Sequence, residues 1–404
     1  MPLSTTVVLI GAGLVLSEVT GISFPVMIIV FVLALLVFAA LGGMFGVVVT
    51  DTLMFFTMLA VAVIIAPIIM AQVGFADMRA LSDSYPGYWT IAGAEGRPLG
   101  FSLSQFLVWV LFFTCTPALV SRVFPAKNDF VILRAAIIGI FLVPFMQIPV
   151  FLAASAMRVL EPGIEETDRV MIVAFLEHVP AVLGGVGLAA LMAAIMSTAS
   201  TLFVLAGFGL SRDLYENLRS ERISERHRMI VSRTAQVIVG LVVAAIAIAQ
   251  PAAIYWISIW AGALFAVGWL PTVVAGLEWR RMNAKAAMVS MLVGVVSFIG
   301  ITELVNREMV ALPLFLDPLM VAFALAVISL VVVALLTRPT EREVEYFQQM
   351  KGARASDITI RDVLSKPGGL AKLKQEYRNI YAIAIFFLVL SVVVWGYFFF
   401  NLGL

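Results

Sequence analysis

The chain is poor in charge, histidine and cysteine. Only 13% of its 404 residues are Asp, Glu, Lys or Arg, where an ordinary soluble domain has roughly a quarter. One cysteine, Cys115, excludes an intrachain disulfide and a cysteine-based metal cluster. The two histidines, His178 and His227, lie far apart and form no His-rich metal motif. A net charge of +1 leaves no basic excess for a nucleic-acid partner. The alternating pattern of barrel strands is missing as well. What remains is apolar: 62% of residues are hydrophobic and the mean hydropathy is +1.07. Apolar runs of about 20 residues recur along the whole length, as a lipid bilayer requires of spanning helices. The fold class is therefore an all-α polytopic membrane protein.

Eleven transmembrane helices are expected, at 4–19, 23–43, 51–73, 101–124, 132–157, 180–209, 230–250, 253–277, 284–303, 317–337 and 379–401. Gly42, Gly43 and Gly46 divide the second from the third. Asp51 then opens the third, where an N-cap role accounts for it and an ion ligand is the second reading. Asp317-Pro318 reads as another helix start, Asp as the cap and Pro in the first turn. The longer connections, 74–100, 158–179 and 338–378, are polar, and Glu161, Glu165, Glu166 and Asp168 read as a solvated face. Of the 26 basic residues, only Arg79, Arg97, Arg158, Arg169 and Arg307 fall on one set of alternate loops. The other set holds the rest, Arg122, Lys127, Arg219 and Arg222 among them. The positive-inside rule then places the amino terminus in the cytoplasm and the carboxyl terminus outside.

Chemistry concentrates in two places. Residues 189–201 read Ala-Ala-Leu-Met-Ala-Ala-Ile-Met-Ser-Thr-Ala-Ser-Thr. At 100° per residue Ala194, Ser197, Thr198 and Thr201 share one helix face. Hydroxyl and carbonyl oxygens are hard ligands that suit a small cation. Polar groups at membrane depth often mark an ion path, but Ser, Thr and Ala also abound where membrane helices pack closely. The second place is Thr114-Cys115-Thr116-Pro117. A proline inside a helix gives a simple kink, or it marks a discontinuous helix of the kind transporters use at their sites. Trp109, Phe113 and Pro117 recur at i, i+4 and i+8 on one face, which is a packing pattern or the wall of a pocket. No histidine or paired-acid constellation lies within the helices, so an enzyme is not expected.

Four signatures together resemble the sodium:solute symporter family. They are Gly42–Asp51 (GGMFGVVVTD); the Trp109, Phe113, Pro117 helix followed by Ser121–Lys127 (SRVFPAK); Ala194–Thr201; and Asp213-Leu214-Tyr215. Order and spacing agree over about residues 5–337. The resemblance implies a LeuT-like bundle of two inverted five-helix repeats. In it 1–337 is the transporter core, with a partial first repeat at 1–73, the second repeat at 101–277 and peripheral helices at 284–337. A cytoplasmic loop, 338–378, and an extra terminal helix within 379–404 follow. On this match the first two core helices are missing, the chain begins inside the third, and it is a fragment of a longer or split protein.

Carried over by position, Ala194 (backbone), Ser197 and Thr198 match the family's conventional sodium site. Asp51, Ser197, Ser200 and Thr201 match a second sodium site of some members. Trp109, Phe113 and Pro117 match substrate-facing positions, although Phe113 stands where proline-type members have a tyrosine and so lacks its hydroxyl. The implied function is sodium-coupled symport of a small organic solute (a sugar, amino acid or carboxylate) across a bacterial inner membrane. The alternative is a transporter-like sensor or regulatory subunit without transport activity.

Overall fold

The computed structural model describes residues 2–121, 123, 126, 128–218, 224–249, 252–352 and 363–402. Arg122, Phe124, Pro125, Lys127, Arg219 and Arg222 lie outside the described residues, as do the side chains of Gly42–Val49. Every regular element among the described residues is helical. Nine helical stretches there are long and apolar enough to cross a membrane, and Phe24–Phe38 and Leu99–Cys115 are shorter apolar helices. Together they occupy the eleven expected positions.

Helix α1 (Pro2–Thr20) ends at Gly21, whose φ of 71° is the left-handed conformation that stops a helix. Helix α2 follows as Phe24–Ala60 and contains no break at Gly42–Gly46. The physical reason is the lack of proline between Pro25 and Pro67. Glycine costs a helix about 1 kcal/mol relative to alanine but keeps its N–H, so the backbone ladder can run through it. Asp51 consequently lies inside α2 and not at a helix start, contrary to the N-cap expectation. Beyond Ala60 the chain widens into a π-turn, Val61–Ile65, before α3 (Ala66–Met70). There the Ala66 N–H reaches back five residues to Val61 O, and Pro67 lies in the first turn of α3.

The polar connections hold short helices of their own: α4 (Phe75–Ser84), then, beyond α5 (Leu99–Cys115), α6 (Pro117–Val120) and α7 (Asp129–Leu160), α8 (Val170–Glu177). Next come α9 (Ala181–Phe208), continued by a π-helix at Gly209–Glu216 that contains Asp213-Leu214-Tyr215, and α10 (Glu225–Ala249). Helices α11 (Ile254–Gly268), α12 (Leu270–Glu278), α13 (Ala284–Asn306) and α14 (Pro318–Leu336) precede α15 (Glu341–Gly352), a helix where only loop is expected. The last helix, α16 (Gly369–Leu402), begins well before the expected 379.

The chain divides into two compact units. One comprises Met1–Leu81, Leu133–Ser258 and Lys374–Leu404. Its core is the mutual packing of α1, α2, α9 and α10, with α2 against α9 the most extensive pair. Gly240 on α10 permits this closeness: a Cβ there would lie 2.9 Å from the fully buried Phe203 ring of α9. Asp168 joins the packing as a cap, accepting the Ile254 N–H of α11 at 3.0 Å, so it is not merely solvated. The other unit comprises Ser82–Ile132 and Ile259–Leu373. It is built on α13 packed along α14, with Val108, Ala266, Val267, Phe298 and Leu319 in its apolar centre. Asp317 caps α14 as expected, accepting from Leu319 N at 3.0 Å, and Asn283 caps α13 in the same way.

Candidate functional site

Helix α9 carries its hydroxyls without breaking, and three of the four donate their protons to the helix itself. Thr198 Oγ1 donates to Ala194 O at 3.2 Å, Ser200 Oγ to Ser197 O at 3.2 Å, and Thr201 Oγ1 to Ser197 O at 2.9 Å. Such back-bonding is how Ser and Thr are accommodated in an apolar helix. A hydroxyl that donates in this way can still accept through its oxygen, which is what a cation needs. The five positions separate by exposure. Ser200 and Thr201 are buried in the packed side of α9, at 1% and 0% exposure. Ser197 and Ala194 are half-buried and Thr198 is exposed, so these three form the accessible side.

Of these three residues, Ala194 alone lines a cavity of about 250 Å³, which extends away from Ser197 and Thr198 towards the start of α9. Ala194 and Ala190 of α9, Met58 of α2, Phe175 of α8, and Gln147 and Phe151 of α7 contribute to its wall. Gly187 helps to shape it, since a Cβ at that position would lie 2.7 Å from the Phe175 ring. Gln147 is its polar wall residue, and sequence reasoning missed it. The available signal was a lone amide between Pro144 and Pro149 in an otherwise apolar run. Asp51 is half-buried on α2, the helix that packs most extensively with α9. The structure therefore places all of Asp51, Ala194, Ser197, Thr198, Ser200 and Thr201 in one unit, on two neighbouring helices.

The second cluster belongs to the other unit. Thr116 leaves helical geometry altogether, with φ −63° and ψ 126°, and separates α5 from α6. The residue before a proline is pushed from α towards extended geometry, and Pro117 supplies no N–H to the Phe113 carbonyl. The feature is thus a discontinuous helix and not a simple kink. Thr116 O then serves as the start of α6, accepting from Leu119 N and Val120 N at 3.1 Å each. On the outer face of α5, Trp109 and Phe113 stack on one another with centroids 5.5 Å apart and 25° between planes. Both rings are exposed, 36% and 50%, so the stripe is not buried packing within its unit, and Pro117 beside them is half-buried. Cys115 points the other way, buried at 2% exposure with its Sγ 3.3 Å from Leu111 O.

The sequence profile of the sodium:solute symporter family matches residues 2–294. Among curated proteins, the sodium/pantothenate symporter of Escherichia coli (strain K12) is 28% identical over 294 residues, 72% of this chain and 61% of that protein. The sodium/pantothenate symporter of Haemophilus influenzae is 26% identical over 306 residues, 74% and 63% of the two chains. A sodium/proline symporter from the same organism is 25% identical over 346 residues, 77% and 64% respectively. The chain thus spans a little over three-fifths of the length of these relatives. Among solved structures, a Na+-coupled sialic acid symporter in a substrate-bound outward-open state superposes with a TM-score of 0.64. That match is 21% identical and covers 83% of this chain and 72% of the other, which identifies the fold.

Proposed function

The chain belongs to the sodium:solute symporter family, and on that footing we propose that it takes part in sodium-driven uptake of a small organic solute through the bacterial inner membrane. The observation that carries this reading is the accessible side of α9, where exposed Thr198 donates its hydroxyl proton to Ala194 O and lies next to half-buried Ser197. Ala194 O, Ser197 Oγ and Thr198 Oγ1 are the proposed ligands of one Na+. Asp51 with Ser197, Ser200 and Thr201 are the proposed ligands of a second. A neutral oxygen set suits an ion that must leave again, since it offers no full counter-charge to hold it. Asp51 supplies that charge for the second ion.

Trp109, Phe113 and Pro117 are the proposed solute contacts, with the exposed stacked rings as an apolar platform beside the break at Thr116. The solutes in the relatives' names, pantothenate, proline and sialic acid, all bear a carboxylate, and a small carboxylate is the class proposed here. The 21 to 5 division of basic residues supports a cytoplasmic face for the connections at 210–228, 279–283 and 338–378, with Na+ entering from the opposite side. One charge moving down 100 mV releases about 2.3 kcal/mol, enough to concentrate a solute tens-fold. Coupling follows if the ion's ligands are assembled only in some states of the alternating cycle, because a ligand shifts an equilibrium by its differential affinity alone.

The test is uptake of radiolabelled pantothenate, proline and sialic acid by membrane vesicles from cells expressing the protein. Accumulation should follow an inward Na+ gradient and collapse when K+ replaces Na+. Accumulation indifferent to that exchange would contradict sodium coupling. Na+ binding without uptake of any solute would favour the sensor or regulatory subunit.

A further inference from the structure

Away from α9, the connection between α7 and α8 brings together three side chains with chelating chemistry. Glu161 follows the last residue of α7, and Glu177 and His178 close α8. Their ligand atoms all lie within 4.8 Å of one another, and His178 Nε2 is 3.2 Å from Glu161 Oε1. We propose that Glu161, Glu177 and His178 bind one divalent transition-metal cation of the Zn2+ class, with water completing the coordination.

Three features support the assignment. The first is the donor set. Carboxylate oxygen and imidazole nitrogen are both zinc donors, three protein ligands plus water make an open zinc site, and the imidazole disfavours Ca2+ and Mg2+. Metal–ligand bonds of 2.0–2.2 Å place tetrahedral ligand atoms roughly 3.3 Å apart. The Glu161–His178 pair already has that spacing, and Glu177, being exposed, is able to swing in.

The second is rigidity. Glu161 N–H donates to Met157 O at 2.8 Å and His178 N–H to Ala174 O at 3.1 Å. His178 O also accepts from Gln72 Nε2 at 2.6 Å, which ties the histidine backbone to the segment just after α3. The third is electrostatics. Both α7 and α8 end at the cluster, and helix carboxyl termini carry the negative end of the backbone dipole. Of the cations of this connection, Arg169 is paired with Glu18 and Glu166, and Arg158 Nη1 donates to Ile164 O at 3.3 Å. The cluster lies between the apolar stretches Phe130–Leu160 and Ala181–Glu216, within reach of water. A bound cation would fasten the end of α7 to the end of α8.

The experiment is calorimetric titration of the purified, detergent-solubilised chain with Zn2+, repeated with Glu177→Gln, His178→Gln and His227→Gln. The expected result is one Zn2+ per chain, bound at least tenfold more weakly by Glu177→Gln and by His178→Gln. His227→Gln, which removes the other histidine, should bind as the parent does, and equimolar Mg2+ should not compete. Zn2+ should also raise the unfolding temperature of the parent and of His227→Gln more than that of the other two variants. If His178→Gln fails to fold, the exposed Glu177→Gln decides the matter. Absence of saturable binding, equal affinity in Glu177→Gln, displacement by Mg2+, or loss of binding in His227→Gln would each overturn the proposal.

Discussion

Helix α9 and the α5–α6 pair both interrupt an apolar run, and they do so by opposite means. In α9 the side chains are polar and the backbone is intact, because Thr198, Ser200 and Thr201 give their protons to Ala194 O and Ser197 O. In α5–α6 the side chains around Pro117 are largely apolar and the backbone is interrupted, because the proline has no N–H to give. On the proposed reading, one region presents side-chain oxygens to an ion, and the other a break in the main chain and a pair of stacked rings to a solute. The comparison predicts that damage to α9 will appear in sodium dependence and damage to α5–α6 in solute dependence.

The largest effects should come from α9. Ser197→Ala and Thr198→Ala should each raise the sodium concentration for half-maximal uptake by about tenfold or more, a loss of roughly 1.4 kcal/mol or greater. Thr198→Ser, which restores the oxygen, should recover most of it. If both alanine variants kept the parent's sodium curve, α9 would be a packing helix and the contrast would fail.

Asp51→Asn comes next. The residue lies inside α2, so the near-isosteric change leaves helix content unaltered by circular dichroism and removes only the charge. Sodium affinity should fall several-fold, on the order of 1 kcal/mol, or fewer ions should move per solute. A silent Asp51→Asn would remove the second ion from the account while leaving the first.

Pro117→Ala probes the other region. Alanine returns the missing N–H and favours a helix interior over proline by about 3 kcal/mol, so α5 and α6 should tend to join through Thr116. The Michaelis constant for solute should rise about threefold or more, with sodium dependence nearly unchanged, since three-fold is about 0.7 kcal/mol. A change in sodium dependence alone would reverse the assignment of roles. Cys115 adds a probe of the same break: at 2% exposure it should react slowly with a small permeant maleimide, and rapid labelling would mean that the break stands open on its packed side.

The smallest effect serves as a control outside both regions. Thr340 and Glu343 form a reciprocal cap at the start of α15, and Glu343 also accepts from Ala284 N at 2.8 Å. Those N–H bonds hold its carboxyl below the usual carboxylate range. Its contribution is therefore complete above the ordinary carboxylate value and is lost as pH falls through the lowered one. Glu343→Gln should flatten that acid limb of stability by less than about 1 kcal/mol, the group lying near the surface where solvent screens it, and should leave sodium and solute dependence alone.

Much of this was legible in the sequence for a physical reason. Hydropathy locates spans because lipid imposes length and composition on each of them, and Asp317-Pro318 announced its cap because both residues act locally. The Trp109, Phe113 and Pro117 face was readable from spacing. Continuity was not. Gly42, Gly43 and Gly46 look like a boundary, yet each glycine keeps its N–H and the ladder runs through them, which puts Asp51 inside a helix and not at its start. The acids of 158–179 looked equally solvated, and only the folded chain shows Asp168 on the α11 terminus and Glu161 against His178. Gln147 was overlooked because a single amide has no periodicity to read.

The central claim, that α9 holds sodium through Ser197 and Thr198, is tested most directly by equilibrium binding of radioactive Na+ to the purified protein. Binding by the parent should saturate and should be abolished or weakened at least tenfold in the Ser197→Ala, Thr198→Ala double variant, with Glu343→Gln matching the parent. The same saturation curve in the parent and the double variant would contradict the account.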